Sequence, residues 1–135
     1  MKGLFVDTAG WMACADSADR DHRAACRARD QWLEKGGMLV TTDYVLDETL
    51  TLIRRRLGLK AAEAWWNQVD ASSRLRWEPI DAERAEKARH LFFRYGDKEF
   101  SFTDCASFVV MQQLKLKQAL TTDKHFKQMS FQTLL

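Results

Sequence analysis

The chain has 135 residues, 46% of them apolar, with 21 Lys and Arg against 19 Asp and Glu. This length fits one domain with a real core, residues 1–135, and is too short for two. Eight Phe, five Trp, a single Pro and six Gly exclude a disordered or linker-rich chain, and the formal net charge of +2 by itself selects no partner. Cys14, Cys26 and Cys105 form no CxxC pair, which argues against a disulfide framework or a Cys-rich zinc site. No apolar stretch approaches a membrane span, and Met1-Lys2 runs straight into Leu4-Phe5-Val6 without the apolar core of a signal peptide. A cytoplasmic protein without membrane contact is expected.

Gly3 to Val6 reads as a short buried strand ending at Asp7. Ala24, Ala25, Ala28, Trp32 and Leu33 recur near helical spacing, predicting a helix from about Ala18 to Glu34 that stops at Gly36-Gly37. Met38 to Thr41 is a second strand. Thr42 or Asp43 caps a helix reaching Leu57, with Gly58 as its stop, and another helix covers about Lys60 to Ala71. Leu75 to Glu78 reads as a strand, and Pro79 with Asp81 opens a helix to about Tyr95. Thr103 is placed to cap a helix from Asp104 to about Leu116, whose Cys105–Met111 stretch is apolar almost all round and therefore central. Gln118 to Thr121 is the next strand, and an edge strand is expected after Ser130. The alternation of strand and helix predicts a three-layer α/β/α sandwich with a mainly parallel sheet.

Four acids fall at the ends of these elements: Asp7, Glu48, Asp104 and Asp123. In open parallel sheets ligands gather outside the carboxyl ends of the strands, where Asp7 and Asp123 lie. Asp104 stands in a first helical turn, where the macrodipole favours negative charge. Asp47 and Glu48 are neighbours, and at about 100° per residue Asp47 falls in the polar arc beside Arg54 while Glu48 borders the buried face. Each acid alone has an ordinary reading as a turn, cap or boundary residue. Together they would repel, since two carboxylates about 4 Å apart cost roughly 4 kcal/mol near a surface, and a divalent cation would relieve them. An all-oxygen set suits Mg²⁺ or Mn²⁺ and in-line phosphoryl chemistry. With four acids set aside, 21 cations face 15 acids, a surplus of +6 suited to a polyanion.

The neighbouring threonines, Thr8, Thr103, Thr121 and Thr122, are candidates to hold carboxylates or water around a metal. Arg54-Arg55-Arg56 could grip phosphate or simply complete a positive helix end, as could Arg20, Arg23, Arg27 and Arg29. His22 and Cys26 share an i, i+4 spacing that lacks the second pair a soft-metal site needs. Of the consecutive Trp65 and Trp66 one ring at most faces the core fully. His125 is open to a role as base, phosphate contact or solvated histidine. No GxSxG elbow, P-loop, GxGxxG, HExxH or EF-hand loop is present.

The blocks FVDT, VLDETLTLIRRR, SFTDCASFVVM and ALTTDKHF, in this order, resemble the PIN-domain ribonuclease family and especially the VapC-type toxins of toxin-antitoxin pairs. The resemblance covers nearly the whole chain and rests on the four blocks jointly. It implies a parallel-sheet α/β/α sandwich in which Asp7, Glu48, Asp104 and Asp123 hold one or two Mg²⁺ or Mn²⁺ ions and cleave RNA. It further implies a homodimer and an antitoxin partner that covers a groove between helices. Many members carry another acid two positions after the last aspartate, where this chain has His125, which bears on a second metal. The alternatives are a PIN-domain RNA-processing nuclease that is no toxin, and a catalytically idle RNA-binding or regulatory module.

Overall fold

The computed structural model describes residues 2–135; Met1, where the expected leaderless N-terminus begins, lies outside them. Five strands form one sheet: β1 (Gly3–Val6), β2 (Met38–Thr42), β3 (Leu75–Glu78), β4 (Gln118–Leu120) and β5 (Gln132–Thr133). Their order is β3-β2-β1-β4-β5 and every pairing is parallel. Seven helices connect them: α1 (Thr8–Ala15), α2 (His22–Glu34), α3 (Asp43–Leu57), α4 (Leu59–Ala71), α5 (Ala82–Arg94), α6 (Phe102–Gln113) and α7 (Lys124–Gln128). This is the expected α/β/α sandwich. From β1 the chain goes to β2 on one side, and it enters β4 on the other. The carboxyl ends of β1 and β4 therefore flank the point where strand order reverses, the place where such sheets bind ligands.

Two boundaries differ from the sequence reading. The helix expected from Ala18 starts at His22, and a separate helix, α1, precedes it at Thr8–Ala15. The α1 segment, TAGWMACA, has no polar face; Gly10, Trp11, Met12 and Ala13 are buried, so it carries no amphipathic period to read. Gly10 is required there, because a Cβ at this position would stand 2.1 Å from the backbone oxygen of Leu120. That close approach packs α1 onto the end of β4. The second difference is at α6, where Ser101 rather than Thr103 is the cap. Ser101 Oγ accepts from the Asp104 amide, and the Asp104 carboxylate accepts from the Ser101 amide, a reciprocal capping box. The helix ends at Gln113, before Lys115 takes φ 57°.

The core explains why the acids stand at fixed positions. Cys105 to Met111 of α6 are all buried, as the near-uniform apolarity of that stretch predicts. Phe108 packs edge-on against Phe126 and Phe100, at 5.1 and 5.0 Å between centroids, and Phe126 meets Phe5 of β1 at 6.1 Å. These rings clamp α6, α7 and β1 together just beneath Asp104, Asp123 and Asp7. On the other side Trp65 is buried edge-on to Trp11, while the half-buried Trp66 leans on Trp77.

Candidate active site

Asp7, Glu48, Asp104 and Asp123 line one crevice of about 320 Å³, together with Thr8, Thr103, Thr122, Asp19 and Arg56. Four elements deliver the acids: Asp7 follows β1 and caps α1, Glu48 sits on α3, Asp104 is in the first turn of α6, and Asp123 follows β4 and caps α7.

Asp7 is the most enclosed. Its Oδ1 accepts from the Gly10 amide at 2.9 Å and its Oδ2 from the Thr121 hydroxyl at 2.7 Å. Burial drives its pKa up from 3.8 to about 7, against the opposing pull of the Thr121 and Gly10 hydrogen bonds; the charges of Asp123 and Asp104 raise it further. Thr121 also accepts from the Asp123 amide at 2.9 Å, so one hydroxyl links two of the acids. The Asp104 pKa is likewise raised, first by burial and then by Asp123, with the Ser101 amide and His125 acting the other way.

His125 is the residue whose role sequence left open. Its Nδ1 lies 2.9 Å from Asp104 Oδ2 and 3.1 Å from Asp123 Oδ1, and its ring stands edge-on to Phe100 at 5.5 Å. The signal was a histidine two positions beyond an acid that caps a one-turn helix. Donor atoms of Asp104, Asp123 and His125 all lie within 4.8 Å of one another, the one such His, Cys, Asp and Glu group among the described residues. Asp7 and Glu48 border the crevice outside that triplet. Glu48 is exposed, as is Asp47, which lies outside the crevice wall.

The carboxylate oxygens fit a hard divalent cation: Asp7 is buried, Asp104 and Asp123 are half-buried, and their charges repel until a cation offsets them. Thr8 Oγ1 is enclosed in the same wall and has no hydrogen-bond partner among the described residues, a polar atom that a bound water or ligand would satisfy. Of the arginine run, Arg56 borders the crevice, whereas Arg54 faces the α3–α4 side. His22 is occupied differently: its Nδ1 is 2.8 Å from the Ala13 carbonyl, and Cys26 Sγ lies 3.8 Å from the ring nitrogens. Cys14, Cys26 and Cys105 are free.

A parallel sheet with carboxylates lining a crevice at its switch point is a place that could hold a divalent cation beside a phosphoester. Comparison with known proteins gives the family. The PIN domain matches residues 4–132. The chain is 34% identical over 128 residues to VapC20 of Mycobacterium tuberculosis, a 23S rRNA-specific endonuclease, with 95% of each chain covered. It is 27% identical over 126 residues to ribonuclease VapC26 of the same organism, covering 91% of this chain and 89% of that one. The crystal structure of M. tuberculosis VapC20, a sarcin-ricin loop cleaving toxin, superposes with a TM-score of 0.85 over 95% of both chains. This chain belongs to the PIN-domain family, and it is an RNA-cleaving hydrolase of the VapC type. No helix among the described residues is long and apolar enough to cross a membrane.

Proposed function

We propose that this protein is a Mg²⁺- or Mn²⁺-dependent endoribonuclease, the toxin of a toxin-antitoxin pair, and that Asp7, Glu48, Asp104 and Asp123 are its catalytic residues. The observation that supports the assignment is that four acids from four separate elements line one crevice at the sheet's switch point. Asp7, Asp104 and Asp123 would hold the cation, with Glu48 reaching from α3 to hold it or to orient the attacking water. When bound, such a cation supplies a nucleophile at neutral pH and offsets charge on the phosphate and the leaving oxygen.

The chain's own residues do the rest. Thr121 fixes Asp7 and the turn bearing Asp123 in one rigid unit. His125 holds Asp104 and Asp123 at a common atom, so the carboxylates stand close together before any ligand arrives. Arg56 on the rim is placed to take an RNA phosphate, as guanidinium groups do with paired donors. By its likeness to VapC20, ribosomal RNA is the first substrate to try. Cytoplasmic action, a homodimer and a small antitoxin partner complete the reading, on the strength of the VapC resemblance.

The test is cleavage of total RNA by the purified protein with millimolar Mg²⁺, with EDTA, and with the Asp7→Asn variant, followed by sequencing of fragment ends. Discrete ends that need both metal and Asp7 support the reading. Cleavage that survives EDTA or Asp7→Asn overturns it.

A further inference from the structure

A second recess of about 460 Å³ adjoins the crevice and shares Glu48, Leu52 and Thr103 with it. Its other walls are Tyr44 and Phe102, whose ring centroids are 6.2 Å apart at 36°, with Asp47, Thr51 and Arg55 around the mouth. Tyr44, Glu48, Thr51 and Arg55 follow at steps of four, three and four along α3, one continuous face of a helix. Phe102 opens α6, two residues before Asp104. The two aromatic rings are half-buried, and the carboxylates and Arg55 are exposed.

We propose that this recess is a nucleobase subsite that takes an unpaired base next to the scissile phosphate and favours guanine. The inference rests on the ribonuclease reading of the adjoining crevice and names the part of the RNA that its neighbour reads. A phosphate does not suit the recess, because Asp47 and Glu48 repel it and Arg55 is the one cation in the wall. A base suits all of it. The Tyr44 and Phe102 rings offer a stacking surface, which is how proteins hold bases splayed out of a strand. The Asp47 carboxylate, which belongs to this recess and not to the crevice, accepts hydrogen bonds from N–H groups, and guanine presents an imino N–H and an exocyclic amine side by side, matching its two oxygens. Uracil offers a single N–H between two carbonyls, which the same oxygens repel. Arg55 at the mouth then meets the backbone that carries the base. Continuity with the crevice sets the distance, since Glu48 and Thr103 belong to both walls.

The test uses the full chain bearing Asp104→Asn, so that RNA stays uncut, and reads binding of three labelled oligonucleotides by fluorescence anisotropy. They are a short oligouridine, the same strand with one central guanosine, and the same strand with one central abasic site. The guanosine strand should bind tighter than the oligouridine by about tenfold, as a hydrogen bond to a charged group allows, and the abasic strand weakest, because it also loses the stacking contribution. Tyr44→Ala should close most of the gap between the guanosine and abasic strands, Tyr44→Phe should keep it, and Asp47→Ala should cancel the preference over oligouridine. Equal binding of all three strands overturns the proposal, whatever the fate of the Tyr44 variants. So does a gap between the guanosine and abasic strands that survives Tyr44→Ala, or a preference over oligouridine that survives Asp47→Ala; if Tyr44→Ala also changes the sedimentation mass, the recess is a protein contact. Cleavage of total RNA by the unsubstituted protein is measured separately, so a failure of the ribonuclease reading is distinguishable from a failure of the subsite.

Discussion

The Thr121 hydroxyl donates to Oδ2 of Asp7 at 2.7 Å across a sequence separation of 114 residues, and the same oxygen accepts from the Asp123 amide. This single buried group couples the ends of β1 and β4. It keeps an enclosed carboxylate hydrogen-bonded and sets the direction in which the Asp123 turn leaves the sheet.

Thr121→Val is therefore expected to do more than its small volume change suggests. It leaves Asp7 Oδ2 and the Asp123 amide without their partner, which costs about 1–3 kcal/mol for buried groups. Urea denaturation should show a loss in that range, and RNA cleavage should fall at least tenfold as the two acids lose register. Thr121→Ser keeps the hydroxyl and should stay close to the parent in both measurements.

Asp7 makes the metal-free protein sensitive to pH. Its folded pKa of about 7 lies above the ordinary 3.8, so the native state holds this proton more tightly than the unfolded chain does. The group's contribution to stability is complete below pH 3.8 and is lost as pH rises through 7. Within that window its share of the slope is at most about 1.4 kcal/mol per pH unit. Asp7→Asn has no proton to lose. Between pH 4 and 7 the difference in stability, variant minus parent without metal, should grow in the variant's favour. A difference that stays constant across the window would show that Asp7 titrates normally.

Much of this arrangement was legible in the sequence, for identifiable reasons. Strand lengths are short and their ends are marked by acids, so β1 to β4 and the placement of Asp7 and Asp123 follow from local pattern. Glu48 was separable from Asp47 by helical angle, and the crevice wall includes Glu48 and leaves Asp47 out. The α1 helix was not legible, because an almost wholly apolar segment gives no period, and the close approach of Gly10 to the Leu120 carbonyl is visible only in three dimensions. The Ser101 cap was missed because Thr103 lies nearer the acid, although the spacing of Ser101 and Asp104 is that of a capping box. The contacts of His125 with Asp104 and Asp123 needed three dimensions: Asp104 is 21 positions away, and the imidazole reaches it only because Phe100, Phe108 and Phe126 bring α6 and α7 together.

Asp104→Asn separates catalysis from folding. The carboxylate is destabilised by burial and by Asp123, and stabilised by the Ser101 amide and His125. The amide oxygen of Asn can still accept from Ser101, so the metal-free fold should lose no more than about 1 kcal/mol, within the range of surface changes that keep a cap. Cleavage should disappear. The unsubstituted protein should also gain several degrees of melting temperature in millimolar Mg²⁺ or Mn²⁺, because a ligand that binds only the native state stabilises it, and Asp104→Asn should lose that gain. A variant that unfolds, or one that keeps the full metal response, would assign Asp104 to the helix cap alone.

The arginine run at the end of α3 divides by direction. Arg56 borders the acid-lined crevice and Arg54 the groove shared with Leu59 and Trp66 of α4. All three arginines also sit in the last helical turn, where any cation is favourable to the dipole, so helix stability should respond alike to either substitution. RNA affinity should not. Each phosphate contact on a single strand steepens the dependence of log affinity on log salt by about 0.7. Arg56→Ala should reduce that slope by roughly one contact's worth and weaken binding of an uncut RNA, measured in the Asp104→Asn background. Arg54→Ala should leave the slope unchanged. Equal losses from the two variants would mean that the run acts as a diffuse positive helix end, and that Arg56 has no privileged contact with the substrate backbone.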